Sequence, residues 1–333
     1  MITSPLRTVL IGFGKVAAGF IKDPLLTKHY KYATHAQTLK DHPLFQWEAV
    51  VDSSQESLQW AREYWKIPYA TTNIQELIKD YDPEVAVLAT HPQERFSFIE
   101  NMPSLKAVVV EKPLGRTYAE ANDFLTLCKK RDLHVQVNYW RRADRLFREL
   151  AAGKLTVLIG RPQAIFGVYG NGLYNNGSHM IDFSRMLFGE IESIQVIGKA
   201  LSRPFKSPKN DIHVPFSLQF KDQLTATFHP IDFHHYRENS LEIWGEKAKL
   251  AIMQEGLGIS LYPLKDNRAI RDEKEIASDT LTTLETTVGD AFYHMYDNLA
   301  KSVLSGENLW SPIESALKTE QILETIVTTS QKT

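Results

Sequence analysis

Between residues 1 and 137, short apolar runs alternate with stretches in which apolar side chains recur at every third or fourth position. The runs are RTVLIG (Arg7–Gly12), WEAVVD (Trp47–Asp52), EVAVLAT (Glu84–Thr90), KAVVVE (Lys106–Glu111) and HVQVNY (His134–Tyr139). They are rich in Val, Ile and Ala and show little polar alternation, the pattern of parallel strands covered on both faces. Helices are predicted between them. Ser53 and Glu56 have capping-box spacing ahead of Leu58, Ala61 and Trp65, and Thr117 with Glu120 repeats the device. The pattern predicts βαβ units and a doubly wound parallel sheet.

Beyond residue 160 the period changes. RPQAIFGVYG, IESIQVIGKA, VPFSLQF, LTATFHPI, SLEIWG and AKLAIMQ follow one another with turn residues between them, which predicts a mostly antiparallel sheet. A helical tail closes the chain. Phe292, Met295, Tyr296, Leu299 and Val303 form one stripe, and SPIE (Ser311–Glu314) reads as an N-cap, a first-turn proline and a capping-box glutamate. The expected division is an α/β Rossmann domain over residues 1–137 and an α+β domain over residues 138–333.

Length and charge narrow the class. A chain of 333 residues suggests two cores rather than one. The net charge of −2 gives no reason to expect nucleic acid or an anionic membrane as partner. No apolar run approaches the ~20 residues that span a bilayer, and the N-terminus enters a strand without a secretion signal. Cys128 is the only cysteine, so there is no intrachain disulfide framework; it lies beside apolar helix positions and reads as a buried thiol, not a nucleophile. A cytoplasmic location is the simplest expectation.

Three stretches carry candidate chemistry. In VLIGFGKVAAGF, Gly12, Gly14 and Ala17 have G-x-G-x-x-A spacing between a strand and an apolar helical segment. Gly12 permits a tight turn, Gly14 lets a pyrophosphate approach the backbone, and Ala17 allows close helix packing; Lys15 and Val16 share the turn. The competing reading is a glycine-rich turn without a ligand. An acid ending the second strand should bind ribose hydroxyls, and Asp52 sits there, followed by Ser53. It lies 38 residues past Gly14 instead of the usual ~20, so the assignment rests on strand position. A carboxylate there favours NAD; Ser53, Ser54 and Lys15 keep NADP open.

The second stretch is VVVEKPLG, Val108–Gly115. Lys112 stands at the carboxyl end of a parallel strand, the edge at which open α/β sheets bind ligands, beside Glu111 and ahead of Pro113. A solvated lysine at a strand exit would have the same spacing. The third is GNGLYNNGSHMIDF, in which Asn175 and His179 are four apart at a predicted helix start and Asp182 follows. A hydrogen-bonded core histidine or a cap-region residue competes with a functional His179.

Taken together, the glycine turn, the E-K-P and the later G-S-H-x-x-D resemble the Gfo/Idh/MocA oxidoreductase family in order and spacing, over nearly the whole chain. The resemblance implies a large open-faced second sheet and NAD(P) bound near Gly12, Gly14, Lys15, Val16, Ala17, Asp52, Ser53, Thr90, His91, Pro92, Glu111 and Lys112. It places Lys112 near both nicotinamide and substrate, and the catalytic histidine at His179. Oxidation of a secondary alcohol needs a hydride acceptor and a base, and an ammonium beside cationic NAD⁺ should lose its proton more readily. Two positions depart from the family pattern. Asn175 stands where an aspartate is common; an amide can bind a sugar hydroxyl but cannot take its proton. Arg95 stands where T-P-x-x-x-H would have histidine.

Asn138, Trp140, Arg141 and Tyr174 complete the expected substrate contacts, with packing as the rival role for each of the last three. His229, His234, His235 and Asp232 have no metal-ligand spacing, and hydride transfer requires no metal. The expected activity is NAD(P)-dependent oxidoreduction of a sugar, sugar derivative or cyclitol, with Lys112, His179 and Asn175 as the catalytic set. The expected assembly is a homodimer or homotetramer formed through the second sheet. A non-catalytic NAD(P)-binding sensor and an enzyme recycling a tightly held cofactor are the rivals.

Overall fold

The computed structural model describes residues 4–201 and 211–332. Within them the chain divides into two compact units. The first comprises the chain to Asp144 together with Gly289–Glu320; the second comprises Arg145–Val288 and the chain from Gln321.

The first unit is built on six strands: β1 (Leu6–Ile11), β2 (Phe45–Val51), β3 (Tyr69–Thr71), β4 (Val85–Leu88), β5 (Ala107–Val110) and β6 (His134–Val137). They lie in the order β3-β2-β1-β4-β5-β6, and every pair is parallel. The order reverses between β1 and β4, which puts a ligand crevice at the carboxyl ends of the strands there. β4 and β5 are buried at every residue, as runs without alternation require. One apolar cluster covers each face: Leu10, Val50, Val85, Val87 and Val109 pack on one side, Val9, Ile11, Ala86, Leu88, Val108 and Val110 on the other.

The unit differs from expectation in several places. β3 was not foreseen, because YAT is too short to show a period. The segment after the glycines is not a regular helix: a turn over residues 15–18 leads into a 3-10 turn, Gly19–Lys22, and the long crossover continues through the short helices Leu26–His29 and His35–Asp41. Gly19 and Pro24 interrupt any longer helix. The helix Gln55–Glu63 is capped by Ser54, not Ser53, because Asp52 Oδ1 takes the Ser54 N–H at 2.8 Å and moves the cap on by one residue. Thr117 does cap the helix Tyr118–Lys130, accepting from the Glu120 N–H.

The tail parts company with the expected boundary. Phe292, Met295, Tyr296 and Leu299, on the helix Ala291–Ser305, are buried in the Rossmann cluster with Leu10 and Val50. Ile313, Ala316 and Leu317, on the helix Ile313–Lys332, join the other face with Val108 and Leu114. An apolar stripe specifies that a face is buried, but not against which core. Ser311 does not cap its helix: its Oγ has no hydrogen-bond partner, its N–H donates to Gln136 Oε1 and its carbonyl accepts from the Val137 N–H. SPIE therefore pairs along the edge of β6 before it turns helical.

The second unit contains β7 (Pro162–Tyr169), β8 (Ile191–Val196), β9 (Phe216–Phe220), β10 (Thr225–Pro230), β11 (Ser240–Gly245), β12 (Ala248–Met253), β13 (Gly258–Asp266), β14 (Lys274–Ile276) and β15 (Thr282–Thr283). They form one nine-stranded sheet in the order β14-β13-β12-β11-β7-β10-β9-β8, with β15 beside β13. Among the described residues, only the β7–β10 pair of this sheet is parallel. One face buries Ile165, Phe216, Phe228, Ile243 and Leu250 under the helix Ser178–Phe188, which supplies Met180, Phe183 and Leu187.

Candidate active-site residues

The glycine turn is tied to the strand ends on both sides of β1. Gly12 has φ +84°, and a Cβ there would come within 2.7 Å of the Ala89 carbonyl oxygen, so no side chain fits. Its N–H donates to Val51 O at 2.8 Å. Asp52 Oδ2 accepts the Phe13 N–H. The carboxylate expected on ribose thus also braces the turn, and each of its oxygens has a second lone pair to offer. A Cβ on Gly14 would meet no protein atom within 4 Å, and Gly14 and Lys15 are exposed while Ala17 is fully buried. An open backbone above a small residue is the arrangement a pyrophosphate needs, so these residues fit a dinucleotide.

The same turn positions a histidine. The carbonyls of Val16 and Ala17 accept the N–H groups of His35 and Ala36 at 3.3 and 2.8 Å, which fixes the start of the helix His35–Asp41. His35 is fully buried. Its Nε2 lies 3.0 Å from Glu111 Oε1 and its Nδ1 2.7 Å from the Tyr296 hydroxyl. Asn138, at the end of β6, donates to the same Glu111 oxygen through Nδ2. Burial opposes the charge on Glu111, but the bond to His35, that ring's charge, Asn138 and the Lys112 ammonium outweigh it and hold the carboxyl below its usual range. Burial drives the Tyr296 hydroxyl far above the ordinary phenol range, with the Glu111 charge adding to the shift.

Lys112 is half-buried next to Glu111, and the Lys112–Pro113 peptide bond is cis. The residues after it are held from two sides. Arg95, 1% exposed, donates from Nη1 to Pro113 O at 2.6 Å and from Nη2 to Thr90 O at 2.7 Å. Glu320 accepts the Leu114 N–H at 2.9 Å. Burial lowers the Arg95 guanidinium to about 10 against the pull of Glu111, Glu320 and Glu120, so it stays charged at neutral pH. Burial raises Glu320 to about 7 in spite of the Leu114 N–H, Lys112 and Arg95. His91 is exposed and precedes the 3-10 turn Pro92–Glu94, its carbonyl accepting the Glu94 N–H, with Pro92 buried at the start of the turn. Arg141 is buried, its guanidinium 4.3 Å over the Trp140 ring, which accords with a packing role.

In the second unit, residues Leu173–Gly177 form a π-type turn that runs directly into the helix Ser178–Phe188. Asn175 and His179 are therefore one helical turn apart, both half-buried, between buried Asn176, Ser178 and Met180. Asp211 anchors the turn by accepting the N–H groups of Tyr174 and Asn175, each at 3.0 Å. Gly172 has φ +97°, and a Cβ there would lie 2.0 Å from Asp211 Oδ2. The Gly172 N–H donates to His213 Nε2 at 3.1 Å, and burial lowers the His213 pKa despite Asp232. Asp182 is buried 3.6 Å from Arg185, an ion pair on its own helix.

A model of the family described as "Oxidoreductase family, NAD-binding Rossmann fold" (GFO/IDH/MocA) matches residues 6–139, and one of the "GFO/IDH/MocA C-terminal domain" matches residues 159–251. The chain belongs to the GFO/IDH/MocA oxidoreductase family. A rabbit (Oryctolagus cuniculus) trans-1,2-dihydrobenzene-1,2-diol dehydrogenase is 31% identical over 172 residues, 45% of this chain and 52% of that one. The chain thus aligns with about half the length of its curated relatives. Among solved structures, a mutant of the 3-ketoreductase KijD10 from Actinomadura kijaniata, with TDP-benzene and NADP, superimposes with TM-score 0.72 at 16% identity, covering 97% of both chains. A super-repressor mutant of Gal80p from Saccharomyces cerevisiae superimposes with TM-score 0.75 at 13% identity, covering 98% of this chain and 96% of that one. At these identities the two structures establish the GFO/IDH/MocA fold alone.

Sequence reasoning missed His35, Tyr296 and Glu320, and took Arg95 only as a departure from the GFO/IDH/MocA pattern. A signal was present for His35: it opens a helix directly after a Thr N-cap, on the face that carries buried Ala36 and Leu39. Glu320 sits among buried Leu317, Thr319 and Leu323 on its helix, an unusual position for a lone carboxylate.

Proposed function

We propose that this family member transfers a hydride between NAD(P) and a secondary hydroxyl or ketone on a ring: a sugar, a sugar derivative such as a nucleotide-sugar, or a cyclitol. The observation that carries the reading is Lys112 at the carboxyl end of β5, on the same edge of the parallel sheet as a glycine turn whose backbone is open at Gly14. The dinucleotide, when bound, supplies the hydride acceptor or donor. Gly12, Gly14, Lys15, Val16 and Ala17 would hold its phosphates, Asp52 and Ser53 its ribose, and Thr90, His91, Pro92 and Glu111 the nicotinamide side. The Lys112 amine would take the proton of the reacting hydroxyl, and His179 and Asn175 would bind or relay at the substrate's other hydroxyls, with Asn138, Trp140, Arg141 and Tyr174 as further contacts. The relatives' name, a ring diol dehydrogenase, and the ketoreductase fold support a ring substrate.

The test is nicotinamide absorbance across a panel of sugars, nucleotide-sugars, cyclitols and ring diols, with wild type and Lys112→Met. Lys112→Met should lower kcat by ~10²-fold while NADH binding stays within about twofold. Full turnover in that variant removes the lysine from the chemistry. A second reading, an NAD(P)-binding sensor without turnover, is favoured by Asn175 in place of an aspartate and by the likeness to Gal80p. It predicts dinucleotide binding and no turnover with any member of the panel.

The outer face of the large sheet supports a self-associating protein. Phe166, Trp244, Met253 and Leu264 are each more than a third exposed on it or at its strand ends, and Lys249 lies over the Trp244 and Tyr262 rings at 4.8 and 4.6 Å. Light scattering should find a homodimer or homotetramer that Trp244→Glu weakens; a wild-type monomer at micromolar concentration would end that proposal.

A further inference from the structure

The peptide unit between Pro113 and Leu114 is held at both ends, by a guanidinium at its carbonyl and by a carboxyl oxygen at its N–H. Arg95 donates to its carbonyl oxygen at 2.6 Å, and Glu320 accepts from its N–H at 2.9 Å. The guanidinium faces the negative end of the peptide dipole and an acceptor oxygen faces the positive end. Both side chains are buried, 1% and 6% exposed, and they come from different elements, the helix Arg95–Asn101 and the helix Ile313–Lys332. The second Arg95 nitrogen, Nη2, holds the Thr90 carbonyl at the end of the β4 loop at 2.7 Å. One guanidinium therefore joins the exit loops of β4 and β5. Its planar fork makes both bonds at once, which an ammonium point charge cannot reproduce with the same geometry.

We propose that Arg95 and Glu320 are a pair of positioning residues which, through the Pro113–Leu114 peptide unit, set where the Lys112 amine sits. Neither touches the reacting atoms; both act through the backbone one and two residues after the lysine. The pair rests on the proposed role of Lys112 for its effect on turnover, but not for its effect on the lysine itself. Arg95→Lys preserves the charge, so any change it causes at Lys112 reports position and not field. The two substitutions must also be coupled, because they release the same peptide unit.

The experiment uses the full chain with Arg95→Lys, Glu320→Ala and their double variant, and with Glu320→Gln, which removes the charge but keeps an acceptor for the Leu114 N–H, as the control for field. Two quantities are read: the rate at which the Lys112 amine reacts with acetic anhydride, followed by peptide mass spectrometry across pH, and kcat with KM for a substrate found by the panel. Arg95→Lys should change the Lys112 labelling profile and lower kcat about tenfold to a hundredfold, the scale of an ångström-sized misplacement, with KM and NADH binding within about twofold. The double variant should be no worse than Arg95→Lys. Unchanged labelling in both Arg95→Lys and Glu320→Ala, or losses that multiply, overturns the pair. Should Arg95→Lys not fold, Glu320→Ala decides: a labelling profile superimposable on that of Glu320→Gln overturns the pair. Changed labelling with coupling but no turnover on any substrate leaves the pair standing and removes the enzymatic reading instead.

Discussion

The loop that follows β5 and the turn that precedes the helix Ser178–Phe188 each carry residues assigned to chemistry, and each is held by a charged side chain from elsewhere in its own unit. The charges are opposite. At Pro113 the anchor is the Arg95 cation, which donates to two carbonyls; at Tyr174 and Asn175 it is the Asp211 anion, which accepts two N–H groups. The chain dictates the choice. Strands that end in loops leave carbonyls without ladder partners, and a cation suits them. A helix start leaves N–H groups without intrahelical partners and carries a positive end, and an anion suits it. Burial also differs: Arg95 is 1% exposed and Asp211 is half-buried. A charge removed from water must be compensated, and Arg95 has two carbonyls and the neighbouring carboxylates of Glu111, Glu320 and Glu120 to do so.

That difference is sharpened most by pH. Glu320 titrates near 7 in the folded chain against 4.5 in a free carboxyl. Below pH 4.5 it is protonated folded and unfolded, and contributes nothing. Between 4.5 and 7 the folded state keeps the proton that the unfolded state has lost, so its contribution to stability falls as pH rises. Above 7 the full cost applies, about 3 kcal/mol for a shift of this size. Buried His42, lowered to about 4 by desolvation despite Asp297, has the opposite sign: its contribution grows as pH rises from 4 to 6.5. The two slopes offset one another in the wild type. Glu320→Gln keeps an acceptor for the Leu114 N–H and removes only the first slope. Denaturant titrations should therefore show the variant equal to wild type near pH 4 and more stable by about 3 kcal/mol near pH 8. A constant difference across that range would mean that Glu320 ionises as freely as a surface carboxylate and that burial sets no cost on the anionic partner of Arg95.

The two regions were not equally legible. Buried parallel strands announce themselves as unbroken apolar runs, so the Rossmann sheet could be read from five such runs in succession, and the position of Lys112 at a strand end from VVVEKP. The glycine turn was legible for the same reason: positive φ at Gly12 and open backbone at Gly14 admit few other residues. What holds those loops was not legible. Arg95 and Glu320 are 225 positions apart, and nothing in either local pattern says that they meet one peptide unit. His35 reaches Glu111 across 76 positions, and Tyr296 reaches His35 across 261. Nor could the stripe on the helix Ala291–Ser305 say which core it would enter, which is why the tail was assigned wholly to the second domain. At the helix start, the helical spacing of Asn175 and His179 was visible, whereas Asp211, 36 residues downstream of Asn175, was not.

The anionic side of the comparison carries the smaller expected effect. Asp211→Asn keeps the shape and one carbonyl oxygen, and puts an NH2 where the second carboxylate oxygen stood. Asp211 Oδ1 takes the N–H groups of Tyr174 and Ile212, and Oδ2 takes that of Asn175. The amide can keep one of these oxygens, so at least one backbone N–H must turn to water or face another donor. At a half-buried site the loss should be about 1–2 kcal/mol in urea unfolding with an unchanged m-value, and amide hydrogen exchange should quicken at Tyr174 or Asn175 while the β5 amides stay as slow as in wild type. If Asp211→Asn instead matched wild type in both measurements, charge at the helix start would be incidental, and the turn would owe its shape to Gly172 and to the packing of Leu173. The contrast between a cation required at carbonyls and an anion required at amides would then hold for the Lys112 loop only.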